Sequence, residues 1–598
     1  MLAPDGCTRQ VGAMFDATRP FVLCDDARPG GCARLYHAPR RIIRADRVAD
    51  IEPAMDAVRA AVAGGASVAG FVGYDAGAAF VPGVPPRLSP LPLLWFGVFD
   101  GYEPVAPERL LPDPDGAWIG PVVPDIDPAA YRARCEAVLA LIAAGDIYQA
   151  NLTFGATVAV AGDPLSLYAR IRPRAAAGHG ALVWTGDDWL LSFSPESFFA
   201  IEAGRITTRP MKGTALRDPD PVRDRDAARA LADDPKQRAE NLMIVDLMRN
   251  DLSRVAVPGS VRVPERFVVE TYPSIHQLIS SVTATLLPGH DAVDALAALF
   301  PCGSITGAPK RRAMEVIDSV EDRARGIYTG AIGRIDADGD AAFNVAIRTL
   351  HLSDGASGAT IGLGSGIVAD SAPADEWREC LAKGRFLAED SPRFDLLETM
   401  AFDPLAGIPL LERHLERLRD SAARLGFGHD RHAIRNELQA AIFRLRHPSR
   451  VRLLLSRSGA ISVDVTPLPP APVAPVAVAV APLPVSPRDL RLTYKTSDRR
   501  FWPAPPPGCF ETIFTDADGR LTEGSFTSIF VGPEGAQLLT PPLSHGLLPG
   551  VLRAELIARG DAVEMPLTVA DLAQGFYVGN AVRGLIRARL VAEGDAQG

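Results

Sequence analysis

The feature that most constrains the fold is a restart of the pattern of strands and helices near residue 390. Before it, short β runs separated by Gly and Pro alternate with helical segments, and Asp336–Gly339 reads as a hairpin turn. After it, SPRFDLLETMAFDPLAGIPLLERHLERLRDSA predicts strand–turn–strand and then an amphipathic helix. A chain of 598 residues is long enough for several domains. The sequence therefore predicts an α+β protein with more than one independent core.

We expect domains at residues 1–120, 121–390 and 391–598. The Pro-rich segment at 466–489 reads as a semi-rigid linker between two lobes of the last domain, at about 391–470 and 486–598.

Charge and composition exclude some classes of partner. The formal net charge is −10, whereas a nucleic-acid-binding protein would present a basic face. The N-terminal residues contain no signal-peptide-like apolar run, and no stretch reaches the ~18 apolar residues of a membrane span. The seven cysteines include no CxxC pair, which argues against a zinc site. These features predict a cytoplasmic protein that does not bind nucleic acid or a membrane.

Before residue 390, the residues that could take part in catalysis or bind a ligand or metal lie in several short segments. They are Gln149 in GDIYQANLT, Glu196 in FSPESFF, Lys212 in RPMKGTALR, Glu240 in RAENLMIV, His276 in PSIHQLIS, Ser304 in PCGSITGAPKRRAMEVI, Tyr328 in YTGAIG, Arg348 in NVAIRTL, and Gly364, Ser365, Gly366, Glu376, Glu379 and Lys383 in GLGSGIVADSAPADEWRECLAKGR. Taken singly, a glutamate on a helix is usually solvated, and His276 fits a core histidine. The turn at Gly303–Gly307 is not a Walker A loop, because no Ser or Thr follows Lys310.

Together, over about residues 125–386, these segments resemble the chorismate-utilising enzymes, which include anthranilate synthase, aminodeoxychorismate synthase and isochorismate synthase. The resemblance implies an anthranilate synthase component I-like fold, with two stacked antiparallel sheets flanked by helices. It implies Mg²⁺ held by Glu240 and Glu379, with Glu376 nearby. Its remaining roles are Glu196 as general acid, His276 and Gln149 beside the ring, Tyr328 and Arg348 on the enolpyruvyl carboxylate, and Ser304, Gly364, Ser365, Gly366 and Lys383 as further substrate contacts.

Lys212 distinguishes members of this family. Anthranilate synthases carry alanine before the Gly-Thr of this motif, whereas aminodeoxychorismate synthases carry lysine, as PMKGT does here. The resemblance then implies a lysine nucleophile that directs ammonia to C4 of chorismate. No cysteine lies in a Gly-x-Cys-x-Gly motif, so we expect a separate glutamine amidotransferase subunit to supply the ammonia.

From residue 394 onward, the segments FDLLETM, LLERHLERLRDSA, YKTSDRR, GRLTEGSFTSIFV and GLLPGVLR resemble class IV, fold-type IV pyridoxal-phosphate enzymes. The resemblance implies that Lys495 binds the cofactor and moves the substrate's proton, and that Glu523 faces the pyridine nitrogen. It also assigns the phosphate to Arg417 and to the backbone N–H groups of Val551 and Leu552. Leu552 replaces a frequent threonine and Ser528 a frequent asparagine, which weakens the expected grip on the cofactor. Relatives of this part are usually dimers, so a homodimer is expected.

The two resemblances together predict a synthase–lyase that converts chorismate to 4-aminobenzoate, a folate precursor. Two alternatives remain open. One is an anthranilate synthase component fused to a class IV aminotransferase, and the other is a non-catalytic chorismate-binding regulator.

Overall fold

The computed structural model describes residues 15–271, 275–387 and 394–591. They form two compact units. Unit one comprises the described residues of Met1–Leu110, Pro121–Val158 and Ile171–Glu389, and unit two those of Leu111–Gly120, Ala159–Arg170 and Asp390–Gly598. The expected boundary at residue 390 lies outside the described residues, as does most of the N-terminal stretch from which no signal peptide was predicted. The boundary at residue 120 remains a prediction, since the units divide the chain differently there.

Twenty strands precede residue 368 in the described part of the chain. They are β1 (Phe21–Asp25), β2 (Ala33–His37), β3 (Arg41–Ala45), β4 (Ser67–Val72), β5 (Leu94–Phe99), β6 (Glu103–Val105), β7 (Ala117–Pro124), β8 (Gln149–Gly162), β9 (Gly180–Trp184), β10 (Asp188–Ser192), β11 (Ser197–Glu202), β12 (Arg205–Thr208), β13 (Met211–Leu216), β14 (Arg262–Thr271), β15 (Ile275–Thr285), β16 (Gly307–Ala308), β17 (Ala331–Ile335), β18 (Ala341–Val345), β19 (Thr349–Ser353) and β20 (Gly358–Ile367).

These strands form two sheets. The first has the order β16-β8-β20-β19-β10-β9-β1-β2-β6 with β7 beside β8, and the second β13-β15-β12-β11-β18-β17-β4-β5-β3 with β14 beside β15. Buried side chains of both sheets share one core cluster, in which Val22 and Tyr36 of the first lie with Phe71 and Trp95 of the second. The prediction of two stacked sheets is confirmed.

Helices flank both sheets. In the described residues before 388 they are α1 (Ile51–Ala63), α2 (Gly77–Phe80), α3 (Pro107–Leu110), α4 (Pro128–Ala143), α5 (Pro164–Ala175), α6 (Pro221–Asp233), α7 (Pro235–Ser253), α8 (Ala292–Leu299), α9 (Lys310–Val320) and α10 (Pro373–Gly384). Met55 of α1, Ile244 and Met248 of α7 and Leu296 of α8 pack in one cluster with Phe343 of β18. This packing fixes α7, which carries Glu240, against the sheet that carries Lys212.

Unit two contains a three-stranded and an eight-stranded sheet among its described residues. Its strands after residue 394 are β21 (Leu396–Phe402), β22 (Ser449–Leu455), β23 (Ile461–Pro467), β24 (Val476–Pro482), β25 (Glu511–Thr515), β26 (Leu521–Gly524), β27 (Ser528–Val531), β28 (Leu538–Thr540), β29 (Ala562–Glu564), β30 (Phe576–Asn580) and β31 (Gly584–Leu590). Its helices there are α11 (Leu411–Leu425), α12 (Arg431–Ile442), α13 (Leu490–Thr493) and α14 (Val551–Arg559). The smaller sheet has the order β21-β22-β23 and the larger β26-β25-β24-β31-β30-β27-β28-β29.

The predicted linker at 466–489 is wrong in part, because its middle forms β24. This strand pairs in parallel with β25 and β31. Val476 and Val478 are buried in the core, which explains why an apolar stretch between prolines is structured. None of the helices in the described ranges is long and apolar enough to span a membrane.

Candidate active sites

Lys212 lies at an irregularity of β13. Met211 pairs with Ile279 and Thr214 with Gln277, so the strand carries one more residue than β15 across this step. Gly213 has φ +92°, a conformation that favours glycine. Such a bulge redirects the side chain beside it. The extra residue accounts for the direction of the lysine.

The amine of Lys212 reaches β20 of the other sheet. A Cβ placed on Gly366 would lie 3.1 Å from Lys212 Nζ and 3.2 Å from Gln149 Nε2. Gln149 is fully buried, and neither polar atom of its amide has a hydrogen-bond partner among the described residues. A glycine at 366 therefore leaves room where an amine and an unpaired amide meet, a polar space suited to a ligand.

Burial changes the proton affinity of Lys212. Desolvation lowers the pKa of its amine, Glu240 opposes that shift, and the positive charge of Lys383 adds to it. A lowered pKa increases the neutral, nucleophilic fraction of the amine.

Glu196 is a buried carboxyl group near the same amine. It accepts a hydrogen bond of 2.9 Å from Ser304 Oγ. Burial raises the pKa of Glu196 to about 6, although the Ser304 hydrogen bond and the charges of Lys212 and Lys383 oppose the rise. A carboxyl group that titrates near neutrality can donate a proton to a leaving group.

The carboxylates expected at the Mg²⁺ site do not form a close cluster among the described residues. Burial raises the pKa of Glu240, against the attraction of Lys212, and Glu376 adds to the rise. Glu376 accepts a 2.7 Å hydrogen bond from Ser371 Oγ, and Glu379 forms a 2.8 Å ion pair with Lys383. Nowhere in the described ranges do three or more His, Cys, Asp or Glu side chains form a group that could hold a metal ion.

Arg348 is a half-buried cation whose charge is not neutralised. Among the described residues no carboxylate forms an ion pair with it, and burial alone lowers the pKa of its guanidinium. Its backbone has φ +51°, and its guanidinium lies 5.9 Å from the Phe386 ring centre. An unpaired guanidinium in such a position favours an anionic ligand.

Four of the residues predicted to line the substrate site form hydrogen bonds with other protein groups. His276 Nε2 lies 2.9 Å from Asp224 Oδ1, and its Nδ1 lies 3.0 Å from Thr271 Oγ1. This pairing fits the interpretation of His276 as a core histidine, and the structure does not bring His276 together with Lys212 or Glu196.

The other three residues lie in or near β20. Ser365 Oγ lies 3.0 Å from the Tyr131 hydroxyl. Lys383 also donates to Gly364 O at 2.9 Å, and a Cβ on Gly364 would meet Leu152 O at 2.7 Å.

The packing of the Tyr328 ring requires a second glycine of β20, Gly362. A Cβ on Gly362 would lie 2.0 Å from Cγ of the Tyr328 ring, whereas one on Gly358 would meet its nearest atom at 3.6 Å. We expect Gly362→Ala to lower the free energy of unfolding by about 1–3 kcal/mol, since a buried ring must move. Gly358→Ala, in the same strand, should change it by less than about 0.5 kcal/mol. Urea unfolding of both variants measures this, and equal stabilities would contradict the packing described.

Unit two contains a cavity of about 480 Å³. It is lined by residues of both sheets and by the start of α14. They are Leu397, Thr399, His414, Arg417, Arg450, Arg452, Pro469, Lys495, Arg499, Glu523, Phe526, Thr527, Ser528, Leu548, Gly550, Val551, Leu552, Asn580, Ala581, Val582 and Arg583. All five residues predicted to bind the cofactor are in this set, and the size suits a small organic molecule.

Lys495 is held by its backbone next to β21. Its carbonyl accepts the Leu397 N–H at 2.8 Å, and Thr496 behind it is fully buried. Burial lowers the pKa of the Lys495 amine to about 7, the charges of Arg417 and Arg499 add to the shift, and Glu398 opposes it. The lowered pKa increases the neutral fraction of this amine near pH 7.

Glu523 is a buried acid with a raised proton affinity. Burial raises its pKa to about 8, and Glu511 adds to the rise, while Arg499 and the Leu548 N–H oppose it. Glu511 is itself saturated, with hydrogen bonds from Ser525, Phe526 and Thr527 that hold the loop after β26.

Arg417 is fixed before any ligand binds. Its Nε and Nη2 donate to the two oxygens of Glu398 at 2.8 and 2.7 Å, and its Nη1 donates to Pro549 O at 3.0 Å. His414 Nδ1 lies 2.6 Å from Glu398 as well. The contact with Pro549 places Arg417 beside the start of α14, where the N–H groups of Val551 and Leu552 are offered to an anion.

Sequence reasoning missed Arg450, Arg452, Arg499 and His414 as cavity residues. The alternation in SRVRLLL could have indicated that two arginines share one face of a strand. His414 lies in the same HLERL motif as Arg417, but its spacing alone does not reveal its pairing with Glu398.

Comparison with known families agrees with this geometry. Residues 21–389 match the model of the chorismate binding enzymes, and residues 395–591 match amino-transferase class IV. The chain belongs to the chorismate binding enzyme family. Its described C-terminal unit adds a class IV aminotransferase domain, so both resemblances inferred from sequence are confirmed.

Individual curated relatives each match less than half of this chain. Aminodeoxychorismate synthase component 1 from Salmonella typhimurium is 46% identical over 253 residues, 42% of this chain and 55% of that protein. Anthranilate synthase component 1 from Streptomyces coelicolor is 42% identical over 260 residues, 43% of this chain and 50% of that protein. The chain thus spans about half the length of these relatives. The crystal structure of anthranilate synthase component I from Streptococcus pneumoniae is 26% identical with a TM-score of 0.53, covering 64% of this chain and 95% of that one.

Proposed function

We propose that unit one aminates chorismate at C4 and that unit two releases pyruvate from the product to give 4-aminobenzoate. The observation that carries the first step is the Lys212 amine, directed by a strand bulge to Gly366 and Gln149 and shifted toward its neutral form.

The residues of unit one suit an addition at C2 followed by substitution at C4. Lys212 Nζ would attack C2 as the C4 hydroxyl departs, and Glu196 would donate the proton that lets it leave as water. Ammonia would then attack C4 and release the lysine amine from C2. Overall, an amino group replaces the C4 hydroxyl, with one ammonia consumed and one water released.

Residues for an anion and for a cation would complete this site. Arg348 and the buried Tyr328 would bind the enolpyruvyl carboxylate. Glu240 and Glu379 would hold Mg²⁺, and a pair suffices because this ion is usually bound by one or two protein carboxylates plus waters and ligand oxygens. Glu240 supports this assignment, since its raised pKa reflects burial and neighbouring negative charge that a cation would relieve. The bound ion would polarise and orient the ring carboxylate.

Ammonia would come from a separate glutamine amidotransferase subunit, as expected from the sequence. The relatives' designation as component 1 supports a second component.

The cavity of unit two fits pyridoxal phosphate in size and in its residues. The cofactor would supply an electron sink that stabilises negative charge on the substrate. Lys495 would attach the cofactor and accept the C4 proton of 4-amino-4-deoxychorismate. Glu523 would face the pyridine nitrogen, while Arg417, Val551 and Leu552 would bind the phosphate. Loss of that proton and of the enolpyruvyl arm as pyruvate leaves an aromatic ring.

Because anthranilate synthase component 1 is also similar in sequence to this chain, amination of chorismate at C2 is the second candidate activity for unit one. A single incubation separates the two. The purified chain receives chorismate, Mg²⁺, ammonium and pyridoxal phosphate, and the products are separated by chromatography. We expect 4-aminobenzoate and pyruvate in equal amounts. Anthranilate as the amino product would refute the proposal.

The pKa of Lys495 gives unit two a distinct pH dependence. Because the amine is protonated below its pKa of about 7 and neutral above it, capture of pyridoxal phosphate should accelerate up to pH 7 and then level off. Reductive trapping at several pH values, with mass spectrometry of the Lys495 peptide, measures this. Lys236 serves as internal control, since its pKa is raised by the hydrogen bond to Asp370 and its labelling should keep rising. A Lys495 profile parallel to that of Lys236 would contradict the expectation.

A further inference from the structure

The three-stranded sheet of unit two presents two arginines to the cavity. Side chains alternate along β22, and Val451, Leu453 and Leu455 are buried in the core on one side. Arg450 and Arg452 therefore project from the other side, where both line the cavity. The same face of β21 contributes Leu397 and Thr399, and Thr399 is the register partner of Arg452.

Neither arginine is neutralised by the protein. Arg450 Nε donates to Thr466 Oγ1 at 3.1 Å, which is a neutral partner. Asp464 is the register partner of Arg452 on β23. Yet among the described residues no carboxylate, Asp464 included, forms an ion pair with Arg450 or Arg452. Both guanidinium groups remain able to bind an anion.

The cavity as a whole has an excess of positive charge. Among the described lining residues the cationic groups are Arg417, Arg450, Arg452, Lys495, Arg499 and Arg583, and the only carboxyl group is Glu523. Burial raises the pKa of Glu523 to about 8, which favours the uncharged form of that carboxyl group near pH 7. Arg417 is committed to Glu398 and to the start of α14, so it can serve a phosphate while Arg450 and Arg452 remain unassigned.

The spacing of the two arginines matches a ligand with two anionic groups. Residues i and i+2 of a strand lie about 6.6 Å apart, two rises of about 3.3 Å. Two arginines placed side by side in this way can each bind one of two carboxylates on the same ring. A substrate with a single carboxylate would compensate only part of the positive charge of the two guanidinium groups.

We propose that Arg450 and Arg452 form a dicarboxylate subsite that makes unit two select ring amines with two carboxylates over ordinary amino acids with one. The inference rests on the proposed function for the identity of the natural substrate. The subsite itself is a property of the cavity and can be measured without turnover.

The test measures binding of isophthalate and benzoate, a ring with two carboxylates and its analogue with one. The full chain loaded with pyridoxal phosphate is titrated by calorimetry. Arg348→Ala is present in every sample so that unit one does not contribute. We expect isophthalate to bind about tenfold or more tightly than benzoate, because one more charge-assisted contact forms. Arg450→Ala with Arg452→Ala should remove that preference.

Arg446→Ala is the matched control. This exposed arginine lies four residues before Arg450 and does not line the cavity. Among the described residues, it donates only a long hydrogen bond, to Leu445 O. The isophthalate preference should survive this change. If the double variant does not fold, Arg450→Gln and Arg452→Gln are tested singly, and each should weaken isophthalate binding about tenfold.

Two results would overturn the inference. Unchanged isophthalate binding in the arginine variants would show that Arg450 and Arg452 do not bind the carboxylates. A loss of pyridoxal phosphate affinity with an intact isophthalate preference would assign the arginines to the cofactor. Failure to form 4-aminobenzoate from chorismate would refute the proposed function but leave this measurement valid.

Discussion

Lys212→Ala protein is expected to form 4-aminobenzoate from chorismate and ammonium at least about a thousandfold more slowly than the wild type. Removing a covalent nucleophile costs at least this much in enzymes that depend on one. The loss should be confined to unit one, so the variant should still release pyruvate when 4-amino-4-deoxychorismate is supplied directly. Chromatographic assay of both reactions on one preparation measures the two rates.

Lys236→Ala provides the control for this variant. Lys236 is an exposed lysine in an ion pair with Asp370, and such surface pairs contribute little. Its removal should leave both reactions near the wild-type rate. Removing Lys212 also removes a cation that lowers the pKa of Glu196, so that pKa should rise above about 6. Undiminished 4-amination by Lys212→Ala would mean that another group is the nucleophile.

Lys495→Ala protein is expected to accumulate 4-amino-4-deoxychorismate while unit one remains active. The cavity retains its arginines, but no amine remains to attach the cofactor or to move the C4 proton. Pyruvate release should fall at least about a thousandfold. A coupled lactate dehydrogenase assay for pyruvate, with chromatography of the intermediate, measures the effect.

Lys495→Arg distinguishes loss of charge from loss of the nucleophilic amine. The arginine keeps a positive charge but cannot deprotonate near neutral pH. We expect it to be as inactive as Lys495→Ala. Pyruvate at the wild-type rate from either variant would refute the lyase assignment.

The sequence predicted best where function depends on short local segments. Lys212, Glu196 and Glu240 could be named from their motifs, and the structure places them within electrostatic reach of one another. The stacked sheets followed from the same resemblance. Lys495, Glu523 and Arg417 were named in the same way, and all three line one cavity.

Prediction was least informative where partners come from distant parts of the chain. His276 pairs with Asp224 across 52 residues, and no local pattern indicates this contact. The supposed linker at 466–489 contains β24 because β31, more than 100 residues later, pairs with it. The cavity arginines of β22 were not predicted, because the sequence does not show which face of the small sheet lines the cavity.

The irregular step in β13 also affects how related sequences should be compared. Successive side chains in a strand point to opposite faces, so a one-residue misplacement in an alignment exchanges inward and outward positions. The residue before Gly-Thr is the one we expect to separate relatives with different products, and it lies where the register slips. Gaps placed near residue 212 should therefore be checked against the backbone before a relative is assigned to 2- or 4-amination.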